Sequence, residues 1–257
     1  PVTARVIVNR FWEQMFGSGL VTTVEDVGTQ GQKPSHPELL DWLSLQFANE
    51  YKWSVKSLLK TIVLSSTYRQ SSKVTPELLE RDPANSLLAR GSRYRLSAEA
   101  IRDQALVISG LFNPEPYGPS VMPFQPEGVW NVIRHVDRWE LDTLGDQYRR
   151  ALYTFWRRVS PYPSMMTFDA PSRELCISRR IRTNTPLQAL VTLNDPVYVE
   201  ASEALATKMQ QEGGESTSSQ IKYGFQRALM RPPNEERLKY LLEFYESTKE
   251  KYREANA

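Results

Sequence analysis

Six residues between positions 169 and 195 carry the polar groups of a possible site: Asp169, Arg173, Arg179, Arg180, Asn184 and Asp195. Guanidinium groups mixed with carboxylates and a carboxamide, placed around turns and helix starts, are what a helical protein can use to hold an anion. The wider stretch 134–182 contains ten Arg against six Asp or Glu, a local excess of 10 − 6 = +4, and 169–195 contains no Lys. Arginine without lysine suits partly buried, bidentate pairing better than a solvated face. The same residues also fit a purely structural clamp. In that reading Asp169 and Asp195 lie opposite Arg173, Arg179 or Arg180, while Asn184 and Asp195 cap helices. Both readings stay open at this level.

Four further residues are weaker candidates. Cys176 would have Arg173, Arg179 and Arg180 on its face of a helix, a setting that favours a thiolate. No histidine is near it in sequence to act as a base, and a lone cysteine is commonly a small buried hydrophobe. His36 has Asp41 five residues on, a poor same-face spacing for metal ligands. His135 and Asp137 would share one face of a strand and could line a pocket. With two histidines and one cysteine in 257 residues, four tetrahedral ligands cannot easily be assembled. We therefore expect no structural metal, no internal disulfide, and no haem bound through a CxxCH motif. Arg149, Arg150, Arg157 and Arg158 flank the aromatic run Tyr153, Phe155 and Trp156, which could suggest single-stranded nucleic acid. The 32 basic and 30 acidic residues leave a net charge of only +2, which argues against a nucleic-acid partner.

The elements that must position these residues read as mainly α, a multi-helix globular domain. Spacing near 3.6 predicts a helix over 2–16 stopped by Gly17, and a Gly- and Thr-rich loop follows over 17–33. Ser35 and Glu38 form a capping-box pattern that opens a helix burying Leu39, Leu40, Leu43 and Phe47. Ser54 caps the next helix, which buries Leu58 and Ile62. Thr75 and Ser97 are further N-caps, the latter opening a helix with Ile101, Ala105, Ile108 and Leu111 inward, and Asp82-Pro83 is another possible start. Residues 151–156 read as one short buried strand. Thr185 and Gln188 form a second capping box, opening a helix with Leu187 and Leu190 inward. Asp195 caps the next, and a last amphipathic helix turns Leu238, Leu241, Leu242 and Tyr245 inward. The chain is a single domain over 1–257 or two helical subdomains, 1–112 and 128–257, joined by the proline-rich segment 113–127. No apolar run approaches a membrane span.

Several strings resemble one family. They include Thr3-Ala4-Arg5-Val6, Pro34-Ser35-His36-Pro37-Glu38-Leu39-Leu40, Trp53-Ser54-Val55-Lys56, Tyr148-Arg149-Arg150, Phe168-Asp169-Ala170-Pro171 and Thr183-Asn184-Thr185-Pro186-Leu187-Gln188. Across essentially the whole chain the sequence is similar to the planctomycete PSD1 domain, a domain of unknown function numbered 1553. Such domains form the C-terminal part of large exported bacterial proteins, often after a c-type cytochrome domain. The resemblance thus implies a domain cut from a longer chain and located in the periplasm or cell envelope. Any c-type haem would lie elsewhere in the parent chain, with no cofactor in this domain. It supplies no reaction that transfers to named residues.

Two functions follow as expectations. One is an accessory or interaction domain that docks against other domains of the same parent chain, or against an envelope protein or polysaccharide. The other is a hydrolase or lyase that takes an anionic or carbohydrate substrate in the pocket of Arg, Asp and Asn side chains. Neither implies nucleic acid or a membrane span.

Overall fold

The computed structural model describes residues 2–129 and 139–255. Ten α-helices, a π turn and two 3-10 turns make up the regular structure, and pairing between extended segments is confined to isolated bridges among these residues. The chain divides into two compact units, Pro1–Arg95 with Ile177–Arg179, and Leu96–Cys176 with Arg180–Ala257. The proline-rich segment 113–127, read from sequence as a linker, falls within the second unit.

The first unit is built on α1 (Val2–Phe16), α2 (Pro37–Leu45), α3 (Val55–Leu64) and the short α4 (Pro76–Arg81). Ala4, Val8, Trp12 and Phe16 recur at four-residue spacing and bury one stripe of α1 against Leu40, Leu43, Phe47, Leu58 and Ile62. Burying a leucine or phenylalanine side chain in such a core contributes about 1.5–3 kcal/mol. Gly17 ends α1 at φ +81°, where a side chain would be strained. Helix α2 begins one residue later than the Ser35 capping box requires, with His36 at its N-cap and no side-chain cap bond. Proline explains the shift: Pro37 has φ fixed for the first helical turn and pushes the residue before it out of the helical region. Ser35 Oγ instead meets His36 Nδ1 at 3.0 Å. Ser54 and Thr75 cap α3 and α4 as expected. Asp82 opens no helix. Its carboxylate accepts the Ser86 and Leu87 N–H groups at 2.8 Å, closing a loop that Arg90 fills from inside.

The second unit centres on α5 (Ala98–Ser109), packed against α8 (Pro196–Glu212) and the short α6 (Pro163–Thr167). Helix α7 (Pro186–Asn194) packs on α6 and α8, α9 (Thr217–Leu229) on α8, and α10 (Glu235–Ala255) on α9. Residues 151–156 are not a strand. Ala151–Tyr153 is a 3-10 turn, and one bridge joins Thr154 to Val121. The bridge cannot extend into a ladder because Pro119 and Pro123, two residues to either side of Val121, have no N–H to donate.

Two expected faces are turned. On α5 the buried residues are Ala98, Arg102, Leu106 and Ser109, while Ile101, Ala105 and Ile108, with Leu111 just past the helix end, are only half-buried. On α7 the buried residue is Gln188, and Leu187 and Leu190 are each 56% exposed. On α10, packed on α9, Leu238, Leu241 and Leu242 are the half-buried side as expected, whereas Tyr245 is exposed and no residue is fully buried.

Candidate functional site

The six residues read as a pocket each take a different neighbour. Asp169, at φ +61°, accepts the Thr183 N–H at 2.8 Å and the Thr183 hydroxyl at 2.9 Å. The Arg173 guanidinium lies over the Trp156 ring, 5.3 Å from its centre, a cation–π contact. Arg180 pairs with Glu99 at 2.6 Å. Arg179 belongs to the first unit, where it meets Glu25 at 3.5 Å and the Thr22 carbonyl at 3.4 Å. Asn184 is exposed and lies before the α7 capping box rather than at a cap of its own. Asp195 caps α8, accepting the Val197 N–H at 3.0 Å. The expected pairing of Asp169 and Asp195 with Arg173, Arg179 or Arg180 is replaced by these contacts.

Among the weaker candidates, Cys176 is exposed rather than a core residue. His36 is the half-buried N-cap of α2. His135 and Asp137 lie outside the described residues. Among the described residues, no three His, Cys, Asp or Glu side chains converge as metal ligands.

The polar centre of the second unit is one that sequence patterning missed. Arg102 is 1% exposed. Its two terminal nitrogens donate to the main-chain carbonyls of Arg149 at 2.9 Å and Gln147 at 2.5 Å, and its Nε–H is buried with no protein acceptor. Four titratable groups feel its charge. Burial pushes the Asp195 carboxyl above its ordinary range, opposed by the Val197 N–H and by Arg102. Burial likewise raises Asp103, against the Ala151 N–H, Arg102 and Arg150. The Tyr162 phenol is pushed up to about 12 by burial, and Tyr198 rises for the same reason, each held back in part by Arg102. Tyr162 OH donates a hydrogen bond to the Phe124 carbonyl at 2.7 Å. One buried cation thus offsets part of the burial effect on two carboxyls and two phenols drawn from α5, the N-caps of α6 and α8, and α8 itself.

Arg149, itself 4% exposed, continues the arrangement. Its guanidinium donates to the carbonyls of Tyr117 and, at 3.2 Å, of Pro119, and stacks 4.3 Å over the Tyr153 ring. Tyr153 OH accepts the Tyr117 N–H at 2.8 Å. Gln188 closes a third junction, donating to the Thr167 carbonyl at 3.0 Å and the Thr183 hydroxyl at 3.1 Å.

These features define a mainly helical chain in which Arg102, Arg149 and Gln188 grip backbone carbonyls from inside. The chain belongs to the PSD1 family, described as a protein of unknown function (DUF1553), which it matches over residues 1–245. No curated protein and no solved structure matches it. No helix among the described residues is long and apolar enough to cross a membrane.

Proposed function

We propose that this chain is an accessory or interaction domain of a larger exported bacterial protein, working in the periplasm or cell envelope. It would dock on other domains of its parent chain or on an envelope protein. Where the parent carries a c-type haem, that haem lies in another domain. The observation that supports docking is the orientation of α7. The helix buries Gln188 while exposing Leu187, Leu190 and Leu193 at 56%, 56% and 73%. These three fall at i, i+3 and i+6 and so line one side of the helix. Apolar side chains grouped on a solvent face mark interaction sites more often than singly scattered ones do.

Hydrogen exchange on α7 in this chain alone and within the full parent protein tests the reading. We expect slower exchange of the α7 amides in the parent. Replacing Leu187, Leu190 and Leu193 together by Ser should abolish that slowing while leaving the isolated domain folded. Equal exchange in both contexts would remove the α7 surface as a docking site.

A further inference from the structure

We propose that a cavity in the first unit, between the start of α1 and the loop 21–34, binds a small organic anion. The cavity has a volume of about 380 Å³, in the range of small-molecule sites. Its charged lining consists of Arg5 and Lys33, while the nearby Asp26 carboxylate is taken up by the Gly28 N–H, which it accepts at 2.9 Å. Val2, Val21, Val27 and Pro34 supply apolar wall. A bare inorganic ion would leave those walls unused, whereas a carboxylate on a short apolar body satisfies both.

The walls are held in place before any ligand arrives. Asn9, 2% exposed, bonds Val21 twice, donating to its carbonyl and accepting its N–H, both at 2.9 Å. The Thr23 hydroxyl donates to the Asp26 carbonyl at 2.8 Å and accepts the Gln32 N–H at 2.9 Å, cinching the loop. Gly31 is obligatory in that turn, because a Cβ there would lie 1.9 Å from the Asp26 carbonyl oxygen. From outside, Arg179 pins the same loop at Thr22 and Glu25. Arg5 is oriented by Asp41 at 3.2 Å, and this carboxylate lies off the lining. A fixed guanidinium beside apolar walls loses little side-chain freedom on meeting a carboxylate, which favours binding.

The test is an NMR titration of the whole chain with phenylacetate, its neutral isostere phenylacetamide, and inorganic phosphate. Phenylacetate should saturate, shifting the amides of Gly28 and Gly31. Phenylacetamide should bind about tenfold more weakly or less, the loss of one charge-assisted contact, and phosphate more weakly than phenylacetate. Lys33→Gln, an exposed substitution that leaves the fold intact, should weaken phenylacetate by about the same factor, as should Arg5→Gln. The proposal is overturned if phenylacetate gives no saturable shift or phenylacetamide or phosphate binds as tightly. It is equally overturned if Lys33→Gln binds phenylacetate like the parent sequence.

Discussion

Arg102 holds Arg149 by its backbone: the guanidinium of the first donates to the carbonyl of the second at 2.9 Å, and both side chains are buried. Replacing Arg102 by Met strands the carbonyls of Arg149 and Gln147 and leaves Asp103 and Asp195 without their buried cation. We expect a loss of about 3–5 kcal/mol in urea unfolding. Lys at this position should restore less than half of that, because one ammonium cannot reproduce the planar fork. A change within about 0.5 kcal/mol for Arg102→Met, the ordinary range for a surface substitution, would refute the account.

Helix α7 yields an inverted pair. Gln188→Leu removes a buried donor and strands the Thr167 carbonyl, and should cost about 1–3 kcal/mol. Leu190→Ala, on the exposed side, should stay within about 0.5 kcal/mol. Thermal unfolding of the two variants decides the matter, since the opposite ranking would mean that α7 faces the other way.

Burial raises the Asp195 carboxyl, so the folded state holds that proton more tightly than the unfolded chain does. Its contribution therefore favours folding fully below the unfolded value of about 4 and is lost as pH rises through the folded value. Asp195→Asn retains an acceptor for the Val197 N–H but cannot ionise. The stability of the parent relative to this variant should be greatest at low pH and decline as pH rises through the raised folded value. Asp103, raised by burial and facing Arg102, Arg150 and Glu99, is present in both proteins and largely cancels in the difference. A difference that does not vary with pH would show that Asp195 titrates as an ordinary surface carboxylate.

Cys176 is exposed in the native chain. One equivalent of maleimide should react without denaturant and leave the unfolding midpoint unchanged. Labelling that requires urea would place the thiol inside the fold.

Local signals in the sequence were legible where one residue type had one job. Ser54, Thr75, Ser97 and Thr185 each cap the helix that their position announces, and Gln188 completes the box with Thr185. Helix phase was legible in α2 and α3, where Leu40, Leu43, Leu58 and Ile62 are the buried residues. It failed in α5, because Ile101, Ala105 and Ile108 make a greasier stripe than Ala98, Arg102, Leu106 and Ser109. Arg102 is inward because distant backbone carbonyls need donors, and no pattern within α5 records that need. The α7 phase failed for the same reason at Gln188. The six candidate residues were grouped by proximity in sequence, whereas Asp169, Arg173, Arg179, Arg180 and Asp195 meet neighbours such as Thr183, Trp156, Glu25, Glu99 and Val197 that the path of the backbone sets.

Arg149 grips the segment around Tyr117 through carbonyl oxygens, and every residue type carries the same carbonyl. That hold is blind to side-chain identity. Exposed positions along the segment, such as Glu115 and Ser120, can therefore change freely while the loop keeps its path. Surface variety on that loop can accumulate among relatives without a matching change at Arg149, so two such chains could present different outer faces on one inner scaffold.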